Sequence, residues 1–218
     1  AVTVVGTDPA RLHAGGLASL LAAGGTVAAE VGDLADLVLD GIVGIGATGG
    51  LRQPAADLVR PAARVRATGG GRPGVVAVDL PSGVDVDTGA VRGTAVVADV
   101  TVTFGALKPG LTVGAGAANA GLVEVVDLGL TPLLRTAPAL FLPDAADIAA
   151  WWPQPGPGSD KYSRGVVGVA TGSAAYPGAP VLSVAGALAG PAGMVRYAGA
   201  AADAVRAGHP TVVATDRV

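Results

Sequence analysis

The sequence predicts an α/β fold, in which parallel strands alternate with helices. Residues 75–78 form a short apolar run that is followed at once by Asp79 and by a turn containing Ser82 and Gly83. A run of this kind is typical of a fully buried central parallel strand. Similar apolar runs recur on both sides of it, separated by helix-like segments and glycine-rich turns, and this alternation is the pattern of a parallel sheet.

The first part of the chain contains most of the predicted elements. Asp8 and Pro9 are a helix cap and a first-turn proline, so a helix is predicted from Pro9 to about Ala23, where Gly24 stops it. A second helix is predicted over residues 53–67, with Pro61 as a kink or break. The predicted strands are residues 2–5, 26–29, 34–43, 75–78, 98–104 and 122–128.

A second α/β pattern follows a proline-rich connector. Its predicted helices are residues 145–152 and 179–189, and its predicted strands are residues 165–170, 194–197 and 211–214. We therefore divide the chain into domains at residues 1–143 and 144–218. The second pattern is shorter than a doubly wound domain normally is, so we expect it to be the start of a longer domain. Ala1 is likewise expected to lie inside a longer chain.

Composition excludes several functional classes. The chain has 218 residues, and its 14 Lys and Arg against 17 Asp and Glu give a net charge of −3, with no basic cluster that would predict nucleic-acid binding. Apolar runs are too short to cross a membrane. Cysteine is absent, which excludes disulfides and thiolate metal sites and fits a reducing compartment such as the cytoplasm.

Two loops after predicted strands are candidate ligand sites, because ligands of open α/β sheets bind beyond the carboxyl ends of strands. Asp79 is the expected reactive carboxylate, although an aspartate here is also a good turn cap. Residues 44–50 form a glycine-rich loop whose backbone can approach a ligand closely. The loop lacks the GxGxxG spacing, which argues against an ordinary NAD-dependent oxidoreductase.

These segments, taken in order, resemble a known family. Asp40 with the loop GIGATGG, then VAVDLPSGVDVDTG and ADVTVTFGALKPG, resemble the NAD(P)HX epimerase domain. DKYSRGVVGVATGSAAYPGAPVL with GMVRY resembles the opening of the ADP/ATP-dependent NAD(P)HX dehydratase domain. The resemblance covers nearly the whole chain. It implies a Rossmann-like three-layer epimerase domain followed by part of a ribokinase-like domain.

The resemblance also implies a function, which is the repair of hydrated nicotinamide cofactors. The epimerase interconverts the R and S forms of NADHX or NADPHX, and the dehydratase uses ADP or ATP to remove water from the S form. Asp79 is then the catalytic acid or base. Asp40 and Ser82 become potassium ligands, since hard oxygen atoms suit a hard cation, although Asp40 also fits a turn cap or salt bridge. The implied substrate contacts are Asp79, Gly44, Ile45, Gly46, Ala47, Thr48, Gly49, Gly50 and, in the second domain, Ala179.

The sequence departs from this family at both ends. An Asn-Asn-Gly-Gly-Asp loop is expected before Val2, and the nucleotide loop of the dehydratase is expected after Val218. Neither is in this sequence, so we do not expect dehydration from this stretch alone. A non-catalytic nucleotide-binding or interaction module on the same fold is the competing interpretation. The family also implies a homo-oligomer.

Five other polar residues have weaker interpretations. Lys108 is either a phosphate contact or a solvated loop lysine. Asp85 and Asp87 begin like a calcium loop, but its other ligands are missing, so an Asx-type turn is predicted. His13 and His209 are both predicted to be structural.

Overall fold

The computed structural model describes residues 1–46, 48–62, 65 and 69–216. Its strands are β1 (Thr3–Val5), β2 (Thr26–Ala28), β3 (Leu37–Asp40), β4 (Gly74–Val78), β5 (Val100–Phe104), β6 (Leu122–Val126), β7 (Val166–Val169), β8 (Met194–Ala198) and β9 (Val213–Thr215). Its α-helices are α1 (Ala14–Ala22), α2 (Ala55–Ala62), α3 (Gly114–Ala120), α4 (Ala145–Trp151), α5 (Gly178–Leu188) and α6 (Ala202–Gly208).

The chain forms two compact units, Ala1–Leu140 and Phe141–Val218. In the first unit, β1 pairs with β2, and a second sheet has the order β3-β4-β5-β6. The other unit contains a sheet with the order β7-β8-β9. All of these pairs are parallel, which confirms the predicted α/β class. The assignment of an activity to each unit stays a prediction.

Each unit has its own apolar cluster. The cluster of the first unit contains Leu80, Leu111 and Ala120, with Val86 and Val123 packed against it. That of the second unit is larger and lies between α5, α6 and the sheet; its buried members are Val184, Val195, Tyr197, Ala202, Val205 and Val212. Over the described residues, no helix is both long enough and apolar enough to cross a bilayer.

The first predicted helix is in fact two elements. A 3-10 helix covers Pro9–Arg11, and α1 begins after His13. The break occurs because Leu12 has an extended backbone and His13 caps the new helix, its Nδ1 accepting a hydrogen bond from the Gly16 N–H at 3.1 Å. This contact gives His13 the predicted structural role. Gly24 follows the end of α1 with φ +79°, as the stop signal predicts.

Two strands are less buried than the sequence predicts. In β4, Ala77 is fully buried but Val78 is 40% exposed, because alternate residues of a strand point to opposite faces and only one face is well covered. In β3, Leu37 and Leu39 are exposed and Asp40 is buried, which reverses the expected pattern. β3 lies at the edge of its sheet, where coverage is incomplete.

Two helices, α3 and α6, were not predicted. The sequence of α3 is GAGAANA, which lacks an amphipathic pattern. Glycine allows close packing there, since a Cβ at Gly116 would lie 2.1 Å from the carbonyl oxygen of Gly110. The helix α2 continues through Pro61 to Ala62, and most of the predicted extension to Ala67 lies outside the described residues.

Candidate functional site

The candidate site is centred on Asp79, which follows β4. Asp79 has φ +72°, a conformation that non-glycine residues rarely adopt. The Leu80 N–H donates a hydrogen bond of 3.0 Å to the Val78 carbonyl, so Asp79 is the central residue of a γ-turn with positive φ. The Asp79 N–H meanwhile continues the sheet by donating to the Val102 carbonyl at 2.7 Å. A strained residue at a strand end indicates a functional constraint.

The carboxylate of Asp79 forms an ion pair with Lys108. Lys108 Nζ lies 2.8 Å from Asp79 Oδ1, and the two side chains are only 13% and 15% exposed. The Thr103 hydroxyl, from the end of β5, also donates to Oδ1 at 3.2 Å. Lys108 is therefore not a solvated loop lysine, so that sequence interpretation is wrong, while a contact between Lys108 and a phosphate stays a prediction.

The surroundings of Asp79 act on its pKa in opposite directions. Burial raises the pKa of the carboxyl, while the hydrogen bond and charge of Lys108, followed by the bonds from Thr103 and Ile45, lower it. The lowering contributions win, so the pKa of Asp79 lies below its ordinary value. Asp79 is accordingly a carboxylate at neutral pH, able to accept a proton or to stabilise a nearby positive charge.

The glycine-rich loop, residues 44–50, meets Asp79 on its other oxygen. The Ile45 N–H donates to Asp79 Oδ2 at 3.0 Å. A Cβ at Gly44 would lie 3.0 Å from the same oxygen, so glycine is what permits the close approach of this loop. Asp79, Gly44 and Ile45 are thus brought together, as the sequence predicts for a common site.

The far end of the same loop is held by Asp85. The Gly49 N–H donates to Asp85 Oδ2 at 3.1 Å, while Oδ1 accepts from the Thr88 hydroxyl and N–H and from the Asp87 N–H. These bonds, that of Gly49 first, lower the pKa of Asp85 to about 2. The predicted Asx-type turn at Asp85 is confirmed. The carboxylate also holds the glycine-rich loop through Gly49, which the sequence did not predict.

Asp40 and Ser82 form a second polar pair beside this site. The Ser82 hydroxyl donates to Asp40 Oδ1 at 2.6 Å and the Ser82 N–H donates to Oδ2 at 2.7 Å. Both residues are buried, Asp40 at 4% and Ser82 at 0% exposure. Ser82 Oγ also accepts from the Val43 N–H at 3.3 Å, which ties the loop after β3 to the loop after β4.

No basic side chain forms an ion pair with Asp40 among the residues that the structure describes. Its charge is balanced there by hydrogen-bond donors alone. In the same part of the chain, no group of three or more His, Asp or Glu residues is arranged to hold a metal ion. The oxygens of Asp40 and Ser82 are hard donors of the kind that hard cations prefer.

The remaining predicted site residues are spread more widely. Gly46, Thr48 and Gly50 belong to the described part of the loop, and Gly50 is packed so closely that a Cβ would lie 2.0 Å from the Arg92 carbonyl oxygen. Ala47 lies outside the described residues. Ala179 is exposed in the first turn of α5, which belongs to the second unit. His209 has a structural contact there, between its Nε2 and the Val181 carbonyl at 3.1 Å.

Sequence reasoning missed Thr103 and misjudged Lys108. Thr103 is the last buried residue of β5, the strand that pairs with β4, and Lys108 lies in the loop that follows. The sequence does contain a signal for this contact. Thr103 and Asp79 lie at the carboxyl ends of adjacent parallel strands, and polar residues in such positions lie close together. What the sequence did not show was that the lysine folds back toward its own strand.

The sequence that forms this site is similar to known proteins. Residues 7–110 match the family described as YjeF-related protein N-terminus. This segment is similar to that family over just under half of the chain. It contains β3, β4, β5 and every residue of the Asp79 and Asp40 sites described above.

Named relatives extend the match beyond this segment. The Bifunctional NAD(P)H-hydrate repair enzyme Nnr of Mycobacterium tuberculosis is 48% identical over 208 residues, which cover 95% of this chain and 41% of the relative. NAD(P)H-hydrate epimerase of Clavibacter michiganensis is 49% identical over 145 residues, covering 58% of this chain and 63% of the relative. The Bifunctional NAD(P)H-hydrate repair enzyme Nnr of Methanothermobacter thermautotrophicus is 37% identical over 181 residues, which cover 82% of this chain and 32% of the relative. The chain thus spans about two fifths of the mycobacterial relative.

Proposed function

We propose that this chain interconverts the R and S epimers of hydrated NADH and NADPH, with Asp79 as its reactive carboxylate. The observation that carries the proposal is the Asp79 side chain, held on one oxygen by Lys108 and on the other by the glycine-rich loop. The relatives named as hydrate epimerase and hydrate repair enzymes support the choice of substrate.

The chemistry of the substrate suits an ionised carboxylate. In a hydrated dihydronicotinamide, one ring carbon carries the added hydroxyl beside the ring nitrogen. To invert this carbon, the hydroxyl must leave and return on the opposite face, or the ring must open and close. Either route passes through proton transfer near a developing positive charge, which a carboxylate at the site stabilises and a base assists.

We further propose that Asp40 and Ser82 bind a potassium ion. The chemistry of their oxygen atoms fits such an ion, and Asp40 has no basic partner among the described residues. When bound, the ion supplies positive charge that offsets the phosphates of the substrate. Asp40 and Ser82 also hold the loops after β3 and β4 together, and these loops carry Ile45 and Asp79.

We propose that the second unit takes part in dehydrating the S epimer with ADP or ATP. The match to the mycobacterial relative covers 95% of this chain and so extends well into Phe141–Val218. Ala179 in α5 is the proposed contact to the S epimer in this unit. A cytoplasmic location and a homo-oligomeric state remain predictions, and light scattering on the purified chain tests the latter.

The direct test of the epimerase is its rate with the pure R epimer of NADPHX. The chain is incubated with this compound in potassium buffer or in sodium buffer of equal ionic strength, and the S epimer is followed chromatographically. We expect acceleration over the spontaneous rate, and a faster reaction in potassium. No acceleration in either buffer would refute the epimerase function. Equal acceleration in both would refute only the potassium site.

A further inference from the structure

Lys108 makes more contacts than an ordinary ion pair requires. Its Nζ donates to Asp79 Oδ1 at 2.8 Å, to the Thr103 hydroxyl at 2.8 Å and to the Phe104 carbonyl at 2.7 Å. An ammonium group has three N–H donors, so this set uses all of them. Because every proton of the ammonium is already directed at a protein acceptor, Lys108 is poorly arranged to donate one to a substrate.

The two oxygens of Asp79 are consequently unequal. Oδ1 accepts hydrogen bonds from Lys108 and Thr103, which fills the capacity of a carboxylate oxygen. Among the described residues, Oδ2 accepts a single bond, that from the Ile45 N–H. Oδ2 also lies on the side of Gly44, where a Cβ would come within 3.0 Å, so it faces the glycine-rich loop.

We propose that Lys108 is a positioning residue of the epimerisation site, where it holds Asp79 Oδ1 and leaves Oδ2 as the oxygen that acts on the substrate. This inference rests on the proposed function, and it adds that the two oxygens of Asp79 have different roles. Lys108 thus acts through Asp79 and makes no contact with the reacting carbon.

Around Asp79, each neighbouring element contributes one kind of group. The segment after β5 contributes the charge of Lys108, β5 contributes the Thr103 hydroxyl, and the loop after β3 contributes the Ile45 N–H. Asp40, at the end of β3, directs both of its carboxylate oxygens to Ser82. Lys108 is therefore the charged group, within the described structure, that opposes the effect of burial on Asp79.

The test is a pH titration of Asp79 in Lys108→Met. Carbon-13 NMR of labelled aspartate follows the carboxyl, with the Asp79 resonance assigned by its loss in Asp79→Asn. Without the ammonium, burial is opposed only by Thr103 and Ile45, so we expect the pKa of Asp79 to rise. Lys161→Met, which removes the only other lysine of the chain, is the matched control and should titrate as wild type. An unchanged titration midpoint of Asp79 in Lys108→Met would overturn the proposal.

The same variants are then assayed across pH. In Lys108→Met the acid limb of kcat/KM should move to higher pH, with a loss of roughly tenfold on that limb for each unit of displacement. Lys108→Arg retains the charge and should keep the limb near its wild-type position. A merely structural role would lower the rate at every pH without moving the limb, and that result would also overturn the proposal.

Two further results separate the possible failures. If Lys108→Met does not fold, Thr103→Val replaces it, because it removes one donor to Oδ1 and keeps the ion pair. The titration midpoint of Asp79 should then rise, and no rise would count against the proposal. If the wild-type chain does not accelerate epimerisation, the proposed function fails. A wild-type rate with an unmoved acid limb in Lys108→Met would refute the role of Lys108 alone.

Discussion

At the residue scale, Asp79 adopts a backbone conformation that glycine adopts at the end of the next strand. After β5, Gly105 has φ +73°, and the Ala106 N–H donates to the Phe104 carbonyl at 2.9 Å. After β4, Asp79 has φ +72° in a turn of the same type. Glycine takes this conformation at little cost, whereas an aspartate there stores strain. The chain thus retains a carboxylate where glycine would be the easier choice, which indicates that the carboxylate is needed.

The positive φ at residue 79 predicts different stabilities for two uncharged replacements. Asp79→Asn and Asp79→Val both remove the negative charge, but asparagine tolerates a positive φ and a β-branched residue does not. We expect Asp79→Val to be less stable than Asp79→Asn by about 1–3 kcal/mol. Urea unfolding followed by circular dichroism measures the difference. Equal stability would show that the γ-turn at residue 79 is not under backbone constraint.

At the element scale, the glycine-rich loop depends on contacts at both ends. Near its start, the Ile45 N–H binds Asp79, and near its finish the Gly49 N–H binds Asp85. Gly50 then passes the Arg92 carbonyl so closely that it has no space for a Cβ. The loop is therefore fixed by the segment that follows β4, and it is this segment that also supplies the reactive carboxylate.

Glycine substitutions in this loop should differ sharply in cost. A Cβ at Gly50 would lie 2.0 Å from the Arg92 carbonyl oxygen, while a Cβ at Gly46 would meet none of the described residues within 4 Å. We expect Gly50→Ala to lower the free energy of unfolding by about 2 kcal/mol or more, because backbone must move to admit the methyl group. Gly46→Ala is the matched comparison and should change it by less than about 0.5 kcal/mol. Similar losses in both variants would contradict this packing of the loop.

The sequence predicted the positions of the strand ends much better than the contacts made there. Asp40 and Asp79 were placed correctly, since an apolar run followed by an acid is a strong local signal. The hydrogen bond from the Gly49 N–H to Asp85 and the ion pair of Lys108 with Asp79 were not predicted. Both depend on contacts between segments that are far apart in sequence. The exposure of β3 also escaped prediction, since local sequence does not specify which strand lies at an edge.

At the scale of the whole molecule, the chain is organised as two α/β units with separate apolar clusters. The sequence predicted the class of each unit and every strand that the structure describes, because strand runs and turn residues are local signals. The missed helices α3 and α6 are short and rich in small residues, so their formation depends on packing that the pattern does not reveal. The candidate epimerase site lies in the first unit, whereas Ala179, the proposed contact of the dehydratase, lies in the second.

We propose that the Asp79 carboxylate drives epimer interconversion, and the rate of the Asp79→Asn variant is the sharpest test of this role. Asp57→Asn, which neutralises an exposed carboxylate of α2, is the matched control. With the R epimer of NADPHX in potassium buffer, we expect Asp57→Asn to match wild type. Asp79→Asn should lose about 100-fold or more, the scale of a missing acid–base group. A folded Asp79→Asn variant that retains the full rate would show that this carboxylate is not needed for the reaction.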